Sequence, residues 1–359
     1  LTAYLDRATL NLKRFKEVEM AVTLQNIADR AKVSPATVSL SLNDSPLVND
    51  ETKRRIKELA QEMGYAPNLH AQRLANRRSH TIGLIVPDIE SAYYARLVRI
   101  MDQAVRARGY RLVLALSQND LAVETSLLAD FASMRVEGLL VAPVNTSIDA
   151  VRYPPVLDNQ QIPCLFITAY HDGGAFGSVM VDLAEGTRLL VSQILAGGRR
   201  RLVFLCGDAQ TVTTRERIWG FQRAFEEAGL TISDGVFIPC ARLDYQEACR
   251  MTRKLLGHAV LPEAILAIND EMALGVIQTL QQAGIRVPDT VSVTGYDDTL
   301  FATISPIPIT TIRQDLDAVV KEALDRLFGA LSGGEPLSGD ITMVLPQLIE
   351  RASLCPIGG

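Results

Sequence analysis

Metal and redox chemistry have little to work with in this chain. It has four histidines (His70, His80, His171 and His258), and they fall in no metal-ligand spacing. The five cysteines (Cys164, Cys206, Cys240, Cys249 and Cys355) form no CxxC pair. A zinc site or a disulfide framework is therefore not expected, and no cofactor is called for. There is no GxSxG elbow, Walker A loop or complete GxGxxG, so the usual signs of hydrolase, nucleotide triphosphate or dinucleotide chemistry are missing. No apolar run approaches the roughly 20 residues of a membrane span. The first 19 residues are interrupted by Asp6, Arg7 and Asn11, which argues against a secretory signal. What is present is ordinary for a globular chain. Of 359 residues, 48% are hydrophobic and 21% charged, enough for two or three domains with cores of their own.

The formal charge of -5 hides a split. Residues 1–80 hold 13 Lys and Arg against 9 Asp and Glu, and residues 81–359 hold 23 against 32. A basic front on an acidic body suggests two tasks, one of them anion binding. Residues 1–19 have little pattern. Lys16-Glu17-Val18 can be encoded with a purine-rich ribosome-binding sequence a few nucleotides before a start codon at Met20, so these residues are expected to be leader or tail, with the native chain starting at Met20.

From Val22 the pattern sharpens. Thr23 can cap a helix with apolar positions at Leu24, Ile27, Ala28 and Ala31. Ser34 caps a second helix with Pro35 at its first position and Val38 and Leu42 on its inner face. Asn49 caps a third, closed by Ile56, Leu59, Ala60 and Met63 and ended by Gly64. Two short helices joined by a few residues read as a helix-turn-helix. The blocks Thr23-Leu24-Gln25-Asn26-Ile27-Ala28, Val33-Ser34-Pro35-Ala36-Thr37-Val38-Ser39-Leu40 and Gly64-Tyr65-Ala66-Pro67-Asn68 resemble the headpiece of the LacI/GalR (lactose-repressor) family. The resemblance implies that the second helix enters the major groove of operator DNA, with Pro35, Ala36 and Leu40 nearest the bases. None of these is a bidentate donor or acceptor, so they offer shape and apolar contact, for instance to thymine methyls. That puts any transferred operator sequence in doubt. Thr23, Ser34, Thr37, Ser39 and Asn43 are candidate phosphate contacts, with helix capping as the other use of their side chains.

Residues 68–80 read as a hinge helix and linker. Asn68-Leu69-His70-Ala71-Gln72-Arg73-Leu74 is too short to hold a helix alone in water. The family resemblance implies paired hinge helices of a dimer in the minor groove, with Leu74 as the wedge at a central base step, Ala71 allowing close approach, and Arg73, Arg77 and Arg78 near phosphates.

From Thr81 strands and helices alternate in two sets, implying parallel sheets covered on both faces. Asp88-Ile89-Glu90-Ser91-Ala92-Tyr93-Tyr94, Arg217-Ile218-Trp219-Gly220-Phe221, Asn269-Asp270-Glu271-Met272-Ala273-Leu274-Gly275 and Gly295-Tyr296-Asp297-Asp298 extend the same resemblance to about residue 352. The expected fold is α/β: two doubly wound parallel-sheet subdomains, like those of periplasmic sugar-binding proteins, behind an all-α headpiece at 20–67. The body at 81–352 is expected to divide into 81–168 plus 298–328 and 169–297 plus 329–352, leaving a tail at 353–359. That tail carries no leucine heptad, so a tetramer of the lactose-repressor type is not expected.

The resemblance places Arg217, Tyr245, Asn269 and Asp297 in an effector cleft between the subdomains, with Tyr93, Thr168 and Thr213 nearby. Arg217 supplies a rigid fork of donors, Asp297 accepts hydroxyls, and Tyr245 offers an aromatic face. Thr168 stands where some relatives carry Asp, and Thr211 where purine-binding relatives carry Arg, which favours a sugar over a nucleobase. Trp219 and the cysteines read as core residues. The implied protein is a bacterial, cytoplasmic, homodimeric repressor that binds a pseudo-palindromic double-stranded operator. Its effector is expected to be a small molecule, a sugar or sugar derivative, and no membrane is involved. A solute-binding protein for uptake would share the body fold but needs an export signal and no headpiece. An enzyme would need a catalytic constellation that the chain lacks.

Overall fold

The computed structural model describes residues 22–65, 79–144, 162–170, 176–233, 235–334, 337 and 339–355. The chain divides into two compact units, one ending at Arg78 and the other beginning at Ser79.

The first unit is three helices, α1 (Leu24–Ala31), α2 (Pro35–Leu42) and α3 (Asp50–Glu62). Each starts where the sequence provides a cap. The Thr23 hydroxyl accepts from the Asn26 amide, and the Asn26 side chain returns the bond to the Thr23 amide, closing a capping box. Ser34 caps α2 at Thr37 and Asn49 caps α3 at Thr52. Ile27, Ala28, Ala31, Val38, Ile56 and Ala60 are buried together as the core. The Arg55 guanidinium donates to the Ala31 carbonyl at 3.0 Å, tying α3 to an otherwise open end of α1.

The second unit contains β1 (Thr81–Val86), α4 (Ala92–Ala107), β2 (Arg111–Leu116), α5 (Leu121–Ser133), β3 (Gly138–Val141), β4 (Cys164–Ile167) and β5 (Ser178–Val181). It continues with α6 (Leu183–Ala196), β6 (Leu202–Cys206), α7 (Val212–Glu227), β7 (Phe237–Pro239), α8 (Tyr245–Leu256), β8 (Ala264–Ala267), α9 (Asp270–Gln282) and β9 (Ser292–Thr294). It ends with α10 (Leu300–Ile304), β10 (Thr311–Arg313), α11 (Leu316–Leu331), β11 (Ile341–Val344) and β12 (Gln347–Ile349).

Six parallel strands form one sheet in the order β11-β5-β4-β3-β1-β2, and four form a second in the order β7-β6-β8-β9. Inner strands such as β1, β3, β4 and β5 are buried at every residue, as a sheet covered on both faces requires. The edge strands β2 and β11 are partly exposed. A third, two-stranded antiparallel ladder pairs β10 with β12, on segments that cross between the two lobes.

The expected lobe boundaries need correction. The expected division puts residues 178–181 and 341–344 in the second lobe, but β5 pairs with β4 and β11 pairs with β5, so both complete the first sheet. The cause is the crossover: the chain makes one more strand in the first sheet before entering α6, and returns for another at β11.

Close helix packing shapes the second lobe. α6 and α7 pack against each other, and a Cβ at Gly220 would lie 2.0 Å from the Ala184 carbonyl oxygen. The backbones meet there only because position 220 has no side chain. Phe221, next in sequence, is fully buried and stacks on Phe225. Trp219 is not a core residue: it is 53% exposed, with the Arg223 guanidinium over its ring. Cys164, Cys206, Cys240 and Cys249 are buried free thiols, as expected of packing residues.

Candidate effector cleft and DNA-binding face

On the first unit, Ser34, Pro35, Ala36, Leu40 and Asn43 are exposed along α2, and Thr37 and Ser39 are half-buried. The inner side of the same helix carries Val38 and Ser41, both fully buried. Several candidate phosphate donors also hold the helix. The Ser34 and Thr37 hydroxyls share a hydrogen bond of 2.9 Å, and the Asn43 amide donates to the Ser39 carbonyl at 2.9 Å. Thr23 is engaged in its capping box. What α2 turns outward is thus small and mostly apolar at its first turn. Asn68, Ala71 and Leu74, with Arg73, Arg77 and Arg78, lie outside the described residues.

In the second unit, a cavity of about 230 Å³ opens where strand ends of the two lobes face each other. Open α/β sheets bind ligands at the carboxyl ends of their strands, and here several strands converge. Asp88, Ser91, Tyr93 and Tyr94 come from the turn after β1 and the start of α4, and Thr168 follows β4. From the other lobe come Thr213 and Arg217 on α7, Leu243 before α8, Ile268 and Asn269 after β8, and Asp297 after β9. Leu183 and Gln314 come from the crossing segments.

Six of the seven expected ligand residues therefore meet in one cavity: Tyr93, Thr168, Thr213, Arg217, Asn269 and Asp297. Tyr245 does not line it. It is the first residue of α8, and its hydroxyl is hydrogen-bonded to Gln278 on α9, which draws the ring along the α8–α9 pair. Leu243, two residues earlier, faces the cavity instead. Sequence reasoning also passed over Asp88, Ser91, Tyr94, Leu183, Ile268 and Gln314. The strand-end rule could have found Asp88, Ile268 and Gln314, since each directly follows a strand or stands two residues beyond it.

The cavity wall is a polar chain that runs from lobe to lobe. The Tyr93 hydroxyl donates to Gln314 Oε1 at 3.2 Å, and Gln314 Nε2 donates to Asp297 Oδ1 at 2.6 Å. Asp297 Oδ1 stands 3.9 Å from an Arg217 terminal nitrogen, close enough for attraction but too far for a hydrogen bond. The Arg217 guanidinium lies over the Tyr296 ring at 4.3 Å from its centre and donates to the Thr213 carbonyl at 3.2 Å. Arg217 is only 7% exposed, and its Nε has no hydrogen-bond partner among the described residues. A buried guanidinium nitrogen without an acceptor is costly. Arg217 lines the cavity as a charged donor beside Asp297, while its Nε, with almost no exposed surface, is closed off from it.

Burial raises the Asp297 carboxyl above the usual carboxylate range, with Arg217 and the Gln314 bond acting against it. Beneath it, Asp270 is fully buried and pushed up to about 8, first by desolvation and then by Asp297. It accepts from the Thr299 amide, the Thr299 hydroxyl and the Thr311 hydroxyl. Burial raises the Tyr93 and Tyr94 phenols as well, keeping them neutral donors. Thr168, Asp297 and Asp298 all have positive φ, at 68°, 97° and 49°. Such conformations are strained for side-chain-bearing residues and collect at functional sites. Asn269 is mostly a wall residue: Oδ1 caps α9 at Met272 and Nδ2 donates to the Leu243 carbonyl.

Next to the cavity a second contact joins the lobes. Tyr170, just past β4, donates to Glu216 on α7 at 2.7 Å, and Arg215 reaches the same hydroxyl at 3.3 Å. Arg215 is therefore half-buried in an inter-lobe contact.

Residues 23–68 match the lacI family of bacterial regulatory proteins, and residues 191–354 match the periplasmic binding protein-like domain. The chain is 30% identical to the ribose operon repressor of Escherichia coli over 92% of its own length and 99% of that protein. The chain belongs to the LacI family. Another member, the transcriptional regulator DegA of Bacillus subtilis, is 28% identical over 94% of this chain and 99% of its own. Among solved structures, the lac repressor dimer bound to operator and an anti-inducer matches with a TM-score of 0.83 at 25% identity, covering 93% of this chain and 99% of that one. As a LacI-family member the chain is a DNA-binding transcriptional repressor and not an enzyme. Among the described residues, no helix is long and apolar enough to cross a membrane, and no cluster of His, Cys, Asp and Glu could hold a metal ion.

Proposed function

We propose that this repressor works as a homodimer on a pseudo-palindromic operator in the bacterial cytoplasm, and that a small polyhydroxylated ligand, a sugar or sugar derivative, controls its affinity. The observation that carries the ligand reading is the Arg217 guanidinium beside Asp297 in the cavity wall, at the end of a polar chain that reaches Tyr93 in the other lobe. A vicinal diol can accept from the guanidinium and donate to the carboxylate at once. Thr168, Thr213 and Asn269 would take the remaining hydroxyls. Leu183, Leu243 and Ile268 give the apolar surface that the CH face of a sugar ring needs.

A ligand that joins the two sides of the cleft favours the closed arrangement by its differential affinity for it. The coupling to DNA would then be of the usual size, roughly 1–3 kcal/mol. On the DNA side, Pro35, Ala36 and Leu40 would supply apolar contacts to base edges. Thr23, Ser34, Thr37, Ser39 and Asn43 would contact phosphates, and Asn68, Ala71 and Leu74 would enter the minor groove. Thr211 supports a sugar over a purine: it is buried at the start of α7, its hydroxyl bonded to the Asp208 carbonyl and Thr214.

The test is selection of genomic fragments by the purified chain, followed by mobility shifts over a range of salt with a panel of pentoses, hexoses, their phosphates and purine bases. A sugar that shifts the affinity for selected fragments and leaves binding to random DNA unchanged supports the reading. A response to purines alone, or to no compound in the panel, overturns the effector assignment. Absence of any selected fragment overturns the operator assignment.

A further inference from the structure

Outside the cleft, a separate group of side chains gathers where the chain enters the second unit. The backbone at His80 has a φ of 48°, a turn away from the extended path of β1. Three strands hold that turn. The His80 amide donates to Glu137 Oε1 at 2.6 Å, just before β3, and the His80 carbonyl accepts from Arg111 at the start of β2 at 2.9 Å. The Tyr110 hydroxyl donates to Glu137 Oε2 at 3.2 Å, and its ring lies 5.2 Å from the His80 ring. Glu137 is itself tied to β1 by its amide, which donates to the Thr81 carbonyl at 2.9 Å. One carboxylate therefore grips the entering backbone with one oxygen and a neighbouring side chain with the other.

The clamp is also connected to the cleft. Phe328 packs edge-on against Tyr110 at 4.8 Å. It sits near the far end of α11, whose first residue comes two positions after the cleft residue Gln314. Twelve helical steps separate Leu316 from Phe328, about 18 Å at 1.5 Å per residue.

We propose that Glu137 is a positioning residue for operator binding: it fixes the direction in which the chain leaves the body toward the DNA-binding unit. The proposal rests on the repressor function. Residues 66–79 join His80 to the headpiece in sequence, so the backbone direction at His80 sets where that connecting stretch begins. Two headpieces must meet two half-sites at a set spacing. A fixed exit direction lowers the conformational cost of that alignment, which is how pre-organisation raises affinity without adding contacts. Non-specific binding needs no such alignment, because it depends on phosphate charge alone.

The test compares the full chain with Glu137→Ala, Glu137→Gln and Tyr110→Phe. Glutamine keeps an acceptor for the His80 amide, and phenylalanine removes only the hydroxyl contact. Alanine is expected to weaken binding to a selected fragment about tenfold, the loss of about one hydrogen bond to a charged group. Its binding to random DNA should stay within about twofold. Glutamine is expected to restore most of the loss, and Tyr110→Phe to fall between. Equal loss on selected and random DNA, or no loss with alanine, overturns the proposal. Hydrogen exchange at the His80 amide is measured in parallel without DNA. Protection in the wild type and glutamine forms that alanine abolishes supports the clamp, and an unprotected wild-type amide overturns it whatever the DNA results. Selective binding by the unmodified chain reports on the repressor reading alone, so the two can fail separately.

Discussion

The headpiece closes its core with six buried apolar side chains and leaves its polar groups at helix ends. The body does the opposite around its cleft, burying Asp270 and Arg217 and almost burying Asp297. A small unit has little apolar area to offset the cost of a buried charge, so its stability rests on a few side chains and caps. A large α/β unit has that area, and its strand ends bring polar groups from distant parts of the sequence to one place. One region is therefore fragile and locally encoded, and the other is robust and carries strain at its site.

The sharpest way to break this contrast is Ile56→Ala. Ile56 is fully buried in the headpiece core. Truncating such a residue costs about 2–5 kcal/mol, a large part of what a unit of this size can have. The headpiece transition should be lost or move below room temperature, while the body melts unchanged. Calorimetry of the full chain checks this. A matching shift in the body transition would mean that the two units do not fold independently.

The next largest effect belongs to the body and depends on pH. The Asp270 carboxyl is raised to about 8 in the fold from a reference of 3.8. A raised folded-state value means that the native state holds a proton the unfolded chain has lost. This contribution to stability is fully present below about pH 4 and declines as pH rises toward 8, by at most about 1.4 kcal/mol per pH unit. Asp297, also raised by burial, acts in the same direction. Asp270→Asn should flatten the body's stability between pH 5 and 8 and leave the headpiece untouched. Denaturant titrations at several pH values measure it, and an unchanged slope would remove Asp270 as the cause.

Arg217→Lys tests the cleft itself. Lysine keeps the charge but loses the planar fork and its stacking on Tyr296. Ligand affinity should fall about thirtyfold, near 2 kcal/mol, while ligand-free operator binding stays the same. Titration calorimetry and mobility shifts separate the two. Loss of operator binding without ligand would move Arg217 from the ligand to the frame of the lobe.

The same contrast explains what could be read from the sequence. Thr23, Ser34 and Asn49 announce their helices because a cap acts on amides two or three residues away. Val38 and Ile56 announce the core because helical spacing puts them on inner faces. In the body, strand and helix identities are equally local, and the α/β alternation could be read. Sheet order is not local: nothing near Val179 says that β5 completes the first sheet beside β4 rather than starting the second. In the cleft, Arg217 and Asp297 stand out through motifs. Gln314 stands at the end of a crossing strand, and its importance appears only once Tyr93 and Asp297 flank it. Tyr245 stands apart from the cavity for a related reason. The direction of a side chain in a helix's first turn depends on what the neighbouring helix offers, and here α9 offers Gln278.

The smallest effect compares the regions on equal chemistry. Thr23 caps α1 in the headpiece, and Asp182 caps α6 in the body, accepting from the Glu185 amide at 2.8 Å. Replacing either with alanine removes one cap, worth about 1 kcal/mol. The free-energy loss should be alike in both, but the melting shift should not. A small unit has a small unfolding entropy, so Thr23→Ala should lower the headpiece midpoint by about 10 °C. The body is several times larger, and Asp182→Ala should lower its midpoint by about 2–4 °C at most. Calorimetry of the two variants in the full chain reads both transitions at once. Equal shifts would mean that the body melts in smaller pieces, with α6 and its lobe as one of them, and the picture of a single robust unit would give way to two coupled lobes.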